Sequence, residues 1–109
     1  MRVTYNKLVR DRIPDIISTA GQQPVTRILD QAAYQAALLE KLTEEAQEAC
    51  QAPPDELAAE LADVLEVLQA IAQANGMTWD HILSAAAAKR SDRGAFDDHV
   101  FLEFVENSD

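Results

Sequence analysis

Apolar residues recur every three or four positions along three long stretches of the chain. Such spacing is typical of helices that bury one face. The predicted long helices run from Gln31 to about Gln51, from Asp55 to about Asn75, and from a cap at Thr78 to Lys89 or Arg90. A shorter helix is predicted from Pro14 to Ala20, because proline suits a first turn and the following glycine can end a helix. The chain is therefore predicted to be mainly α.

Two short segments instead alternate apolar and polar residues: 24–29 (PVTRIL) and 98–105 (DHVFLEFV). Alternation with β-branched and aromatic residues predicts a short strand in each segment. The two strands could pair, although the sequence does not fix that pairing. We therefore expect one or two short strands at the periphery of the helical fold.

Pro53 and Pro54 separate the two longest predicted helices. Because this break is short, the two helices should lie side by side and antiparallel. Their apolar faces are wider than one hairpin can cover, so two hairpins are expected to pack together as a four-helix bundle. The sequence thus predicts a single domain over residues 1–109 that forms at least a homodimer.

The chain carries a formal net charge of −10. An acidic surface argues against binding to nucleic acid or to an anionic membrane. No apolar run is long enough to cross a bilayer and the N-terminus is polar, so a cytoplasmic location is expected. The surplus of acidic residues has two interpretations: a solvated surface, or carboxylates gathered to hold a cation.

Four of the carboxylates form two pairs, one on each side of the proline break: Glu45 with Glu48, and Glu60 with Asp63. The members of each pair are three residues apart and should share one face of a helix. At about 100° per residue, Glu45 falls inside the apolar arc of its helix, and the other three lie at or near the border. The rise along the hairpin sets Glu48 opposite Glu60 and Glu45 opposite Asp63.

Four partly desolvated carboxylates would repel one another, and a bound cation would remove that cost. Ligation by oxygen alone suits a hard ion such as Mg²⁺, or Mn²⁺. The alternative is an ordinary charged helix border, because pairs of acids at this spacing are common in helices. The hairpin register favours the metal site.

The ordered pattern Glu44-Glu45-x-x-Glu48, a gap, then Glu60-x-x-Asp63 resembles the EExxE…ExxD signature of the MazG-like, all-α nucleotide pyrophosphohydrolases. Residues 5–14 (YNKLVRDRIP) resemble the opening of a subgroup of predicted house-cleaning, phosphoribosyl-ATP pyrophosphohydrolase-like enzymes. Residues 89–96 (KRSDRGAF) are similar to the basic segment after the last helix of that family, although Ala95 stands where a second glycine is common. These matches cover nearly the whole chain.

The resemblance implies Mg²⁺-dependent hydrolysis of a nucleoside triphosphate to the monophosphate and pyrophosphate. It also implies a homodimer or homotetramer. It implies that the metal ligands are Glu45, Glu48, Glu60 and Asp63. Glu44 would be an outer carboxylate that orients water, so that the catalytic acids would be Glu44, Glu45 and Glu48. The substrate would be a noncanonical or damaged nucleotide, a pyrimidine deoxynucleotide or, ranked lower, phosphoribosyl-ATP. The rival interpretation is a non-enzymatic acidic helical protein that binds a basic partner or stores metal.

The remaining site predictions concern groups that would contact the nucleotide. They are Asn6, Lys7, Arg10, Arg12, Lys41, Lys89 and Arg93. Asn6 would meet a base or sugar, and the cations would meet phosphates not covered by metal. Each cation could instead form an ion pair with one of the many acids. For Lys41, one turn before Glu45, the partner in that alternative is a ligand carboxylate.

Overall fold

The computed structural model describes residues 1–107 and shows a mainly α chain. Within these residues the helices are α1 (Ile13–Thr19), α2 (Gln31–Gln51), α3 (Leu57–Ala74) and α4 (Trp79–Arg93). The four predicted helices are therefore confirmed. Helix α4 extends beyond the predicted end and stops only before Gly94, whose φ of 84° favours glycine.

Side-chain caps fix where two of the helices begin. The carboxylate of Asp30 accepts a hydrogen bond from the backbone N–H of Ala33 at 2.9 Å, which starts α2. The hydroxyl of Thr78 accepts one from the N–H of His81 at 3.1 Å, which starts α4. Each bond satisfies an N–H group that lacks a partner inside the helix. The cap predicted at Thr78 is therefore confirmed.

The predicted strands are wrong: the described residues 1–107 contain no strand. Neither residues 24–29 nor residues 98–105 form a backbone hydrogen bond to another part of the described chain. A strand is stable only when a neighbouring strand takes up its N–H and C=O groups. Val25 and Ile28, which the alternation placed on a strand, are almost fully exposed. The alternation of apolar and polar residues was therefore insufficient to predict a strand.

The chain divides into two compact units, of which the first is Met1–Met77. In this unit α2 packs on α3. The side chains of Gln31 and Gln35, at the start of α2, both donate to the carbonyl oxygen of Ala74, the last residue of α3. The start of one helix thus meets the end of the other, which confirms the antiparallel hairpin.

The buried part of the hairpin is small and contains one charged residue. Its buried apolar residues are Leu38, Val67 and Ala72, and its buried charged residue is Glu45. Large apolar side chains remain exposed on α3, namely Leu57, Leu61, Leu65 and Leu68. The hairpin therefore leaves part of its apolar surface exposed. The four-helix bundle stays a prediction.

The second unit begins at Thr78 and contains α4. No residue of helix α4 is buried. The segment after it carries a run of exposed apolar side chains: Phe96, Val100, Phe101, Leu102, Phe104 and Val105. None of the described helices is both long and apolar enough to span a membrane.

Candidate metal centre

Three carboxylates meet between α2 and α3. Glu45 comes from α2, and Glu60 and Asp63 come from α3. Each offers one oxygen, and these three oxygens all lie within 4.8 Å of one another. The helical period explains the meeting, because Glu45 lies on the same face of α2 as the buried Leu38, and Glu60 lies on the same face of α3 as the buried Val67.

Two oxygens of this cluster are buried and have no partner. Oε2 of Glu45 and Oε2 of Glu60 are inaccessible to water and accept no hydrogen bond from the described chain. Glu45 as a whole is only 7% exposed. A buried oxygen of an ionised carboxylate that lacks a partner is costly, and a positive ion offsets that cost. The residues present therefore fit a hard divalent cation bound by oxygen.

Glu48 lies beside the cluster of three and is exposed to solvent. The negative charge of Glu45 raises the pKa of the Glu48 carboxyl above its usual value, and a hydrogen bond to Glu45 and the charges of Glu60 and Glu44 add to this. Glu48 is thus near enough to the cluster to respond to its charge. The predicted register set Glu48 opposite Glu60, whereas the close group joins Glu45 to both acids of α3.

Lys41 is the cation nearest to the buried carboxylate. Its ammonium lies 3.2 Å from Oε1 of Glu45, one helical turn along α2, and 3.7 Å from Oε2 of Glu44. The Lys41 side chain is only 17% exposed. In this structure Lys41 therefore contacts the acids next to it, which was the alternative considered for this residue.

The N-terminal segment, residues 1–12, brings two further cations to the same acids. The ammonium of Lys7 lies 3.4 Å from Oε1 of Glu44. A guanidinium N–H of Arg10 donates to Oδ1 of Asp63 at 2.7 Å. Both cations were predicted from the sequence as phosphate contacts. The structure places them at the acidic cluster, and in the described residues each binds a carboxylate.

The remaining predicted nucleotide contacts are Asn6 and Arg12 in the first unit and Lys89 and Arg93 in the second. Asn6 is exposed and has the left-handed backbone conformation, with φ at 48°. Arg12 is exposed immediately before α1 and forms no ion pair with the described residues. Lys89 and Arg93 belong to the second unit, where Nε of Arg93 lies 3.8 Å from Oδ2 of the adjacent Asp92.

The charges around the cluster do not balance. Five carboxylates gather here: Glu44, Glu45, Glu48, Glu60 and Asp63. Three cations contact them: Lys7, Arg10 and Lys41. Two formal negative charges remain, which is the charge that one divalent cation neutralises.

Sequence reasoning did not identify the ion pair between Arg10 and Asp63. These residues are 53 positions apart, so no helical period relates them. The only signal was general: a basic N-terminal segment in a chain with a large excess of acids. The site is thus a carboxylate cluster that is suited to a hard divalent cation and has cationic side chains at its rim.

Comparison with known proteins gives a family match and a partly matched relative. The family model described as phosphoribosyl-ATP pyrophosphohydrolase matches residues 11–90, which include every carboxylate of the cluster. A protein of Mycolicibacterium smegmatis, described as uncharacterized, is 52% identical to this chain over 42 residues. That stretch covers 38% of this chain and 43% of the relative, so less than half of the relative is matched. No solved structure matches the chain.

The family match spans well over half of the described residues and takes in the acidic motifs on both helices of the hairpin. The resemblance drawn from those motifs is therefore confirmed. The chain belongs to the phosphoribosyl-ATP pyrophosphohydrolase family, within the MazG-like superfamily of all-α nucleotide pyrophosphohydrolases.

Proposed function

We propose that this chain is a nucleotide pyrophosphohydrolase that converts a nucleoside triphosphate to the monophosphate and pyrophosphate with a divalent metal ion, Mg²⁺ or Mn²⁺. Pyrophosphohydrolases of this superfamily generally depend on such a metal. The observation that carries the proposal is the pair of buried, unpartnered oxygens on Glu45 and Glu60, in a chain of this family. A surface patch of solvated acids would not bury oxygens without partners.

The residues proposed to hold the metal are Glu45, Glu60 and Asp63, whose oxygens already lie close together. Glu48 is exposed beside them and is available to complete the set. A Mg²⁺ ion bound there would neutralise phosphate charge and lower the pKa of the attacking water. Glu44, which contacts Lys7 and Lys41, is the proposed outer carboxylate that orients this water.

The proposed phosphate contacts begin with Lys7 and Arg10, because their side chains are at the rim of the cluster and about half exposed. Exposed cations can move to an incoming phosphate at small cost, since exposed ion pairs contribute little. Arg12, Lys41, Lys89, Arg93 and Asn6 remain proposed contacts on the strength of the motifs alone. Among them Lys41 has the least freedom, since it is 17% exposed and lies against Glu45.

Two candidate substrates should be compared directly. One is a noncanonical or damaged nucleoside triphosphate, which suits the house-cleaning subgroup that the N-terminal motif resembles. The other is phosphoribosyl-ATP, which is the substrate named by the family model. The same carboxylate cluster serves both, because both reactions hydrolyse a phosphoanhydride and release pyrophosphate.

We further propose that the active form is at least a homodimer. The four exposed leucines of α3 form one stripe, since residues 57, 61, 65 and 68 recur every three or four positions. A second copy of the hairpin presents the same stripe, so the two could cover each other as in a four-helix bundle. Scattering of the purified chain that gave a monomer mass would reject this proposal.

The test of function is incubation of the chain with Mg²⁺ and a panel of nucleotides that includes noncanonical triphosphates, dUTP and phosphoribosyl-ATP. Pyrophosphate release, with the monophosphate as the second product, is expected for at least one of them. Asp63→Asn should abolish that release, whereas Asp80→Asn, an exposed change in the second unit, should not. Metal binding without pyrophosphate from any nucleotide would instead favour the non-enzymatic alternative.

A further inference from the structure

The contact between Arg10 and Asp63 competes with the role proposed for each of them. Asp63 is a proposed metal ligand, and Arg10 is a proposed phosphate contact. In the structure, however, the guanidinium of Arg10 donates to Oδ1 of Asp63 at 2.7 Å. This ion pair occupies one oxygen of the ligand and holds the cation away from a phosphate.

The ion pair also joins the N-terminal segment to the hairpin. The backbone hydrogen bonds of residues 1–12 in the described chain run only to the start of α1. Their side-chain hydrogen bonds to the hairpin are the Lys7–Glu44 and Arg10–Asp63 pairs. Leu8 and Val9 of the segment are half-buried. The polar attachment of this segment therefore depends on two acids of the cluster.

From this we infer that Arg10 is the exchangeable counter-ion of the carboxylate cluster: it neutralises Asp63 until a divalent cation binds, and is then released to meet a substrate phosphate. The inference rests on the proposed function, because it takes the cluster as a metal site. It adds an order of events that the ligand set alone does not contain.

Electrostatics favours the exchange. The cluster without metal has two formal negative charges in excess, which hold the cations at its rim. A divalent ion among the three close oxygens neutralises the carboxylates that hold Arg10 and repels a guanidinium within a few ångströms. The Arg10 side chain is 56% exposed and free to move, whereas Lys41, at 17%, is enclosed beside Glu45. Arg10 should leave and Lys41 should stay.

The first test measures Mg²⁺ affinity by calorimetry on the full chain. Arg10→Gln removes the competing cation, so it should bind Mg²⁺ about two- to fivefold more tightly than the wild type, the range expected for an exposed ion pair. Arg2→Gln is the matched control, because it makes the same charge change on an exposed residue of the same segment. Equal or weaker affinity in Arg10→Gln than in Arg2→Gln would overturn the inference.

The second test starts from the wild type. Amide hydrogen exchange of Ile13 and Ile16, whose N–H groups donate to the carbonyl oxygens of Arg10 and Arg12, should become faster when Mg²⁺ is saturating, because the segment loses its link to Asp63. In Arg10→Gln the same amides should exchange fast already and respond little to Mg²⁺. If Mg²⁺ left the exchange of these residues unchanged or slowed it, Arg10 would be shown to stay on Asp63 beside the metal, against the inference.

Neither readout involves nucleotide turnover, so the two proposals fail separately. Pyrophosphate release together with unchanged amide exchange at Ile13 and Ile16 would refute the release of Arg10 and leave the function standing. Faster exchange with Mg²⁺ and tighter binding by Arg10→Gln, without hydrolysis of any nucleotide, would support the exchange and refute the function.

Discussion

Two neighbouring faces of α3 differ in exposure, and the difference is the opposite of the one expected for a hairpin in water. The face towards α2 carries Glu60 and Asp63 beside the buried Val67. A neighbouring face carries a stripe of leucines that includes Leu61 and Leu65, which are about half exposed. An isolated amphipathic hairpin should instead turn its carboxylates outwards and its leucines inwards.

Each face therefore lacks a partner, and the missing partners differ in chemistry. The carboxylate face lacks positive charge, because two of its buried oxygens accept no hydrogen bond. The leucine stripe lacks apolar cover, and covering one leucine fully contributes about 1.5–3 kcal/mol. One helix thus carries a face suited to a cation and a face suited to another helix. The two can be tested independently.

The largest effect is expected on the leucine stripe. Replacing Leu61 and Leu65 together by glutamine should raise the dissociation constant of the proposed dimer at least about 1,000-fold, because four leucines lose their cover in each dimer. Mass measurement by light scattering over a dilution series would show this. Ala59→Gln, an exposed change on another side of α3, is the control and should leave the dimer intact.

The second-largest effect is expected for substitutions on the carboxylate face. Glu45→Gln should weaken Mg²⁺ binding about 100-fold or more, since even residues that only support metal ligands typically contribute 10–100-fold. Glu40→Gln on the exposed side of the same helix should leave the affinity unchanged. Calorimetric titration of both variants decides the matter, and equal affinities would remove Glu45 from the ligand set.

Glu60→Gln should separate stability from metal binding. The amide nitrogen can donate to the unpartnered Oε2 of Glu45, and one charge of the cluster disappears. The metal-free protein should therefore gain about 1 kcal/mol in free energy of unfolding. Chemical denaturation without metal measures this gain, and the stabilisation that Mg²⁺ gives the wild type should be lost. Glu66→Gln, exposed on α3, is the matched control and should change neither quantity.

The smallest effect concerns pH and Glu48. Its pKa is raised, mainly by the charge of Glu45, so it takes up a proton at a higher pH than an ordinary glutamate. Protonation of Glu48 should therefore contribute to the stability of the metal-free fold at pH values below the ordinary pKa of a glutamate, and this contribution should be lost as the pH rises through the raised pKa. The same protonation should weaken Mg²⁺ binding. Glu48→Gln should flatten the upper part of the pH dependence of Mg²⁺ affinity. An unchanged profile in this variant would assign that dependence to other acids.

The contrast between the faces of α3 also shows how far the sequence predicts this molecule. The helical period was sufficient for α2 and α3, and it placed Glu45 inside the apolar arc, where the structure buries it. Periodicity works there because every residue of a helix is related to its neighbours by one rotation. The carboxylate cluster follows from that rotation and from the short proline break.

Long-range contacts of non-helical segments were beyond this reasoning. Alternation at residues 98–105 predicted a strand, but alternation does not supply the second strand that such a segment needs. The ion pair between Arg10 and Asp63 depends on the course of the N-terminal segment over the hairpin, which no period encodes. The residues were identified from the sequence, and their partners came only from the structure.

The central claim is that the cluster between α2 and α3 holds a divalent cation. Its most direct test is a crystal structure of the full chain grown with Mn²⁺, with the ion located by anomalous scattering. We expect an anomalous peak between the carboxylates of Glu45, Glu60 and Asp63. The Mn²⁺ ion there should lie about 2.0–2.3 Å from the carboxylate oxygens, as for hard oxygen-bound cations. Manganese found only at other surface acids, with this cluster empty, would contradict the claim.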